Sequence, residues 1–127
     1  MSDSETTLAE LRRIVDEFVD ERDWHQFHTP KNVAMSLCVE AAELMEHFQW
    51  LTAEQSRAVA ERPSTLSAVA EELADVLCYV LAMANELGLD LSTALRHKMT
   101  KNERKYPASK YRGRFGPEDP SPASGAD

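Results

Sequence analysis

Cysteine is scarce in this chain. There are two in 127 residues, Cys38 and Cys78, on different expected helices and without CxxC spacing. That scarcity argues against a disulfide framework and against a zinc cluster, so both thiols read as small buried hydrophobes. Only 4 glycines and 6 prolines occur, mostly at segment ends, so the middle of the chain is expected to be compact. No apolar run approaches the roughly 20 residues of a membrane span. Cationic side chains are in deficit, 14 Lys and Arg against 22 Asp and Glu, for a formal net charge of -8. This disfavours a nucleic-acid polymer as partner, because affinity there comes mainly from Lys and Arg on phosphates. The N-terminus lacks the positive-then-apolar order of a signal peptide, and a cytoplasmic protein with no membrane partner is the expectation.

What is present is globular composition, 43% hydrophobic and 28% charged, at a length that suits one domain with a single core. Leu8, Leu11, Ile14, Val15 and Phe18 recur at three and four, which predicts an amphipathic helix over about Thr6 to Trp24. Thr29 followed by Pro30 is a natural cap and first-turn pair for a second helix reaching about Leu51. Thr52 and Gln55 fit a capping box opening a short third helix that ends near Pro63. The fourth and most strongly patterned helix runs from Ser64 to Leu87, with Gly88 as a left-handed C-terminal cap. Asp90 or Ser92 caps a fifth, stopped by Pro107. No stretch alternates with period two, so the fold is expected to be all-α, a bundle of about five helices. Residues 1–114 then form the domain, and 115–127, rich in Pro, Ser, Gly and acid, read as a disordered tail.

Each helix turns about 100° per residue, which places side chains around its axis. Measured from Glu40, the residues Val33, Leu37, Leu44, Phe48 and Leu51 fall between roughly 20° and 80°, and Glu43 lies near -60°. Measured from Glu72, the residues Val69, Val76, Val80, Met83 and Leu87 occupy the same sector, and Asp75 again lies near -60°. Two pairs of acids thus sit beside two apolar stripes. If the stripes pack together, Glu40, Glu43, Glu72 and Asp75 converge on one oxygen-rich cluster suited to magnesium or manganese. The plainer account is that the acids are partly exposed and satisfied by Lys, Arg or water. The repeated placement favours metal and leaves the reaction open. A ferritin-like di-metal bundle would use Glu-x-x-His, whereas here the partners are Glu43 and Asp75, so redox iron is disfavoured.

With EAAE at 40–43 and ELAD at 72–75, the sequence resembles the MazG-like all-α nucleoside triphosphate pyrophosphohydrolase superfamily, whose signature is an ExxE pair followed by ExxD. Within it the chain is similar to the dCTP pyrophosphatases over about Leu8 to Tyr106, through ERDWHQFHTPKN at 21–32, HFQW at 47–50, EELADVLCYVLAMA at 71–84 and KMTKNERKYP at 98–107. The resemblance implies that Glu40, Glu43, Glu72 and Asp75 hold Mg2+, with Mn2+ as the variant, on the phosphate chain of a nucleoside triphosphate. It implies a base and sugar pocket drawing on His28, Asn32, Trp50 and Tyr79, with Lys98, Asn102, Lys105 and Tyr106 near the phosphates or the pocket rim. The family's stronger signature has a Glu directly before ExxE. This chain has Val39, so any outer-shell role of that acid is absent or moved, for instance to Glu71.

Most of these positions admit a second reading. Trp50 suits core or interface packing as well as base stacking. Tyr79, at about -20° from Glu72, lies on the metal side. His28 has no partner at metal-ligand spacing and is a structural hydrogen-bonder or a substrate contact. Lys98, Lys101, Arg104 and Lys105 form either a solvated helix end or a phosphate grip. The expected reaction is hydrolysis of dCTP or a modified dCTP to the monophosphate and pyrophosphate, with Glu43, and Glu40 beside it, sharing ligand and base roles. The same chemistry on dUTP or another non-canonical nucleotide, and a non-catalytic helical interaction module, are the alternatives. Leu77, Leu81 and Met45 fall outside the stripe facing the acids and need another surface. A homo-oligomer is therefore expected, and the resemblance implies a tetramer built as a dimer of dimers.

Overall fold

The computed structural model describes residues 1–116, 118 and 119. The element order is α1 (Leu8–Glu21), α2 (Pro30–Glu46), α3 (Ala53–Ala58), a 3-10 turn (Val59–Glu61), α4 (Pro63–Leu87), α5 (Leu91–Lys105) and α6 (Ala108–Tyr111). Among the described residues there is no strand, and no helix is long and apolar enough to cross a membrane. The chain divides into two units, Met1–Leu89 and Asp90–Asp127.

Local signals start and stop the helices. Thr7 opens α1 through a reciprocal capping box with Glu10, and Thr52 does the same for α3 with Gln55. Thr29 caps α2 by accepting from the Asn32 amide, with Pro30 in the first turn. Gly88, at φ 63 and ψ 35, ends α4 in the left-handed conformation expected of it. Asp90, rather than Ser92, caps α5 by accepting from the Thr93 amide.

Several boundaries differ from the sequence expectation. α1 stops at Glu21, and the chain turns through Asp23 at φ 52. α2 stops at Glu46, so 47–50 is a run of turns; HFQW holds no Gly or Pro to mark that stop. α4 begins at Pro63, because proline in the first helical turn forfeits no hydrogen bond. A short α6 follows Pro107, so the described residues hold six α-helices where about five were expected. Most of the expected disordered tail, at 117 and 120–127, lies outside the described residues. Within the described part, the Gly116 amide donates to the Asp119 carboxylate.

In the first unit α4 is central, with α2 packed along it and α1 and the 3-10 turn against it. Among the described residues the buried hydrophobic ones come from all four: Val19, Val33, Val59, Leu81, Ala82 and Ala84. Leu81 corrects an expectation. It lies outside the stripe facing the acids and was expected to need a surface from another copy, yet it is already only 3% exposed within one chain, where both α2 and α1 pack on α4. Leu77 and Met45 do remain exposed, at 43% and 55%. Cys38 is exposed and Cys78 half-buried, so the reading of both thiols as buried holds only in part for Cys78 and fails for Cys38. Arg12 ties α1 to the end of α4. Its guanidinium donates to Asn85 Oδ1 and to the carbonyls of Ala84 and Leu89, while Asn85 Nδ2 donates to the Arg12 carbonyl.

Candidate metal centre

The packing of α2 on α4 brings three of the four expected acids together. Ligand oxygens of Glu40, Glu43 and Glu72 all lie within 4.8 Å of one another, and each side chain is half-buried. Asp75, one turn further along α4, is exposed and falls outside this set. Its charge still reaches the group, since it helps to raise the pKa values of Glu40 and Glu72.

Three carboxyl groups this close cannot all ionise at ordinary acid pH. The Glu40 carboxyl is pushed up to about 7, first by burial and then by its hydrogen bond to Glu43 and the charges of Glu43 and Asp75. Glu72 shifts the same way, again led by burial and then by Glu43. The neighbouring Cys78 thiol is also held above its usual range, by burial first and by the charges of Asp75 and Glu40. These shifts describe one negative, poorly solvated pocket between two helices.

The plainer account of these acids calls on Lys, Arg or water, and the ion pairs among the described residues lie elsewhere, at Met1–Glu5, Arg13–Glu17, Arg22–Glu21 and around His25. Hydrogen bonding within the protein is also incomplete. Oε2 of Glu40 and Oε2 of Glu72 are buried without a hydrogen-bond partner. An orphaned buried carboxylate oxygen is costly, and two in one cluster fit a hard divalent cation that takes oxygen ligands. The residues present therefore suit such an ion.

A cavity of about 470 Å3 adjoins the cluster, lined by Asn32, Met35, Ser36, Val39, Glu40 and Tyr79. That volume suits a small-molecule site. Asn32 and Tyr79 were expected there; Met35, Ser36 and Val39 were missed. Their signal was available, because Asn32, Ser36, Glu40 and Glu43 follow one another at four, four and three along one helix face. His28 is half-buried beside this wall, its ring centroid 6.5 Å from both Trp24 and Tyr79. Its Nδ1 is buried with no partner, which leaves a hydrogen-bonding group available. Asn32 Nδ2 donates to the Phe27 carbonyl and ties the start of α2 to the segment carrying His28.

Two other residues of the first unit do not join this group. Trp50 is 87% exposed in the turns after α2 and is not among the cavity-lining residues. Glu71 is exposed on α4. In the second unit, Lys98, Asn102 and Lys105 lie on α5, with Lys98 and Lys105 exposed; Tyr106 follows it, ring-to-ring with Tyr111 at 5.2 Å.

Residues 35–114 match the MazG-like family, a span that takes in both acid pairs. The chain belongs to the MazG-like family. Among its relatives, dCTP pyrophosphatase 1 of Bos taurus is 44% identical over 110 residues, covering 87% of this chain and 65% of that protein. The Homo sapiens dCTP pyrophosphatase 1 is 44% identical over 104 residues, 82% of this chain and 61% of that protein. The chain thus spans less than two thirds of the length of these curated relatives. A solved pyrophosphatase from Archaeoglobus fulgidus superposes with a TM-score of 0.73 at 44% identity, covering 79% of this chain and 92% of that one. The all-helical MazG-like fold expected from the sequence is the fold observed.

Proposed function

We propose that this chain is a nucleoside triphosphate pyrophosphohydrolase that uses Mg2+, or Mn2+ in its place, to convert dCTP or a modified dCTP to the monophosphate and pyrophosphate. The observation that carries the reading is the pair of unpartnered buried oxygens on Glu40 and Glu72, next to a cavity that has Glu40 in its wall. The names of the mammalian relatives and of the archaeal structure support the substrate and the reaction. The family match runs from α2 into the second unit, which supports reading 1–114 as one functional domain.

In this reading Glu40, Glu43 and Glu72 hold the ion and Asp75 completes its surroundings. When bound, a divalent ion offsets negative charge on the phosphate chain and acidifies a coordinated water. The chain's own groups do the rest. Water attacks the α-phosphorus as its proton passes to a carboxylate, the bond from α-phosphorus to the bridging oxygen breaks, and pyrophosphate leaves with that oxygen. Glu43, whose carboxylate oxygen lies within 4.8 Å of ligand oxygens of Glu40 and Glu72, is the proposed group to orient the water and take the proton. Tyr79, Asn32 and His28 border the space for base and sugar, and Lys98, Asn102, Lys105 and Tyr106 are proposed for the phosphates or the rim. Trp50, exposed on its own chain, fits a pocket completed by a neighbouring subunit.

The exposed apolar residues of α4, Leu66, Leu73 and Leu77, support a homo-oligomer, proposed as a tetramer. Clearance of surplus or modified deoxynucleotides in the cytoplasm is the corresponding role.

The test is to incubate the protein with each dNTP, the ribonucleotides, dUTP and 5-methyl-dCTP, with Mg2+ and then with EDTA, and to identify products by chromatography. Monophosphate and pyrophosphate from a cytosine deoxynucleotide, lost with EDTA, are expected. Preference for another nucleotide would keep the reaction and remove the base assignment. No turnover of any nucleotide would leave a helical interaction module as the better reading.

A further inference from the structure

His25 lies in the turn between α1 and α2 and is flanked on both ring nitrogens by carboxylates from two other elements. Nδ1 is 2.7 Å from Glu86 Oε1 on α4, 61 residues away in sequence. Nε2 is 3.4 Å from Asp16 Oδ1 and 3.9 Å from Asp20 Oδ1, both on α1. A neutral imidazole carries one proton, so whichever tautomer it takes, one nitrogen would turn a lone pair toward an anion. Only the doubly protonated ring presents an N–H to the carboxylates on both sides.

The other charged groups of the turn are engaged elsewhere. The Arg22 guanidinium lies over the Phe18 ring at 3.7 Å and bonds the Phe18 carbonyl and Glu21. The Asp23 carboxylate accepts from Gln26. His25 therefore faces Asp16, Asp20 and Glu86, with no cation among those contacts competing for them. The His25 pKa is raised accordingly, chiefly by the hydrogen bond to Glu86, then by the charges of Glu86, Asp16 and Asp20, against an opposing effect of burial.

The backbone connects this ring to the pocket wall. The His28 amide donates to the carbonyls of Trp24 and His25 at 3.1 and 3.2 Å, and the Phe27 amide donates to Trp24 at 2.9 Å. The turn that His25 pins is thus the one from which His28 extends between Trp24 and Tyr79.

We infer that His25 is a positioning residue that bridges the carboxylates of α1 and α4 and so fixes the turn carrying His28. Its effect on nucleotide binding rests on the function proposed above; its effect on the turn does not. Because the midpoint lies above the ordinary histidine value of about 6.5, the bridge contributes fully below that pH and is lost as pH rises through the raised midpoint.

The experiment is a histidine-ring NMR titration of the full chain, with His25 assigned from its absence in His25→Gln. Thermal midpoints of the wild type, His25→Gln and His25→Lys are measured over the same pH range. A His25 midpoint above the ordinary value is expected, with His28 ring signals moving in step with it and losing that step in His25→Gln. The wild type should lose melting temperature through the midpoint, His25→Gln should lose this component, and His25→Lys should keep the low-pH stability to higher pH. A midpoint at or below the ordinary value, or His28 signals indifferent to His25→Gln, would overturn the inference. Nucleotide KM should rise through the same midpoint while kcat holds, and Glu86→Gln should abolish that rise. Absence of all turnover would remove the proposed function and leave the NMR and melting results to decide the bridge.

Discussion

Glu40 of α2 and Glu72 of α4 each bury one carboxylate oxygen without a hydrogen-bond partner, within reach of the same ion. In Glu72→Gln the shape is kept and one charge is removed. The metal-free variant should melt above the metal-free wild type, because a like-charge repulsion is relieved. It should no longer gain melting temperature from Mg2+, and turnover should fall at least about a hundredfold, roughly 2.7 kcal/mol of barrier. Calorimetry with and without Mg2+ checks this. A variant that Mg2+ stabilises as well as it does the wild type would remove Glu72 from the metal site.

Asp75 separates two descriptions of the centre. It is exposed and outside the three-oxygen group, so Asp75→Asn should change metal-free stability less than Glu72→Gln does. If it closes the ion's surroundings as the ExxD pattern implies, turnover should still fall at least about tenfold, or 1.4 kcal/mol. Full activity in Asp75→Asn would reduce the centre to three protein ligands.

The raised carboxyls also set a pH dependence of unusual sign. A carboxyl whose folded pKa lies above its unfolded value binds more protons in the folded state. For Glu40, raised from 4.5 to about 7, this contribution is full below about 4.5 and is lost as pH rises through about 7. The metal-free protein should therefore melt progressively lower across that window. Saturating Mg2+ should flatten the fall, since the ion stands in for the proton among the acids. Glu40→Gln should remove the Glu40 part even without metal. A wild type whose metal-free melting temperature rose from pH 5 to pH 8 would contradict the assignment.

The acid cluster was largely legible in sequence because helical periodicity decides which side of a helix a carboxylate occupies. It does not decide how high along the axis a neighbouring helix crosses. That is why Glu40, Glu43 and Glu72 converge as expected while Asp75, with the same angular placement as Glu43, stays exposed. Caps were legible wherever one residue carries the signal, as at Thr29, Thr52 and Gly88. The end of α2 was not, since nothing between Glu46 and Leu51 forbids another turn of helix. The burial of Leu81 depends on how other helices cover α4, and the His25–Glu86 contact joins residues with no local pattern. Such contacts exist only once the tertiary fold does.

Arg12 offers a control that separates fold from site. Its hydrogen bonds to Asn85 and the Ala84 carbonyl near the end of α4, and to the Leu89 carbonyl just beyond it, join α1 to the end of α4 away from the acids. Arg12→Ala removes all three bonds and takes the donor from the part-buried Asn85 Oδ1, while the Ala84 carbonyl keeps the Gly88 and Leu89 amides, and should cost about 2 kcal/mol of stability. Urea denaturation measures that loss. The increase in melting temperature on adding Mg2+ should persist in this variant. Its disappearance would mean that the ion's site depends on the α1 contact and not on α2 and α4 alone.

The outer face of α4 supplies the last prediction. Leu66, Leu73 and Leu77, spaced at seven and four, remain 43%, 55% and 43% exposed along one side of the helix. With Ala70, Ala74, Val76 and Val80, and with Asp3 at its edge as the one acid, the latter two leucines line an open, mostly apolar groove of about 650 Å3. Exposed apolar surface organised along a helix favours association, and a second copy of the chain presents the matching face at the same concentration. Light scattering at micromolar concentration should therefore give a multiple of 14.3 kDa, with four copies as the proposed number. Placing charge in the contact, as in Leu73→Asp with Leu77→Asp, should shift the mass toward one copy while circular dichroism stays helical. A wild-type monomer would refute the assembly. A dissociated double variant with undiminished turnover would show instead that each chain completes its own pocket.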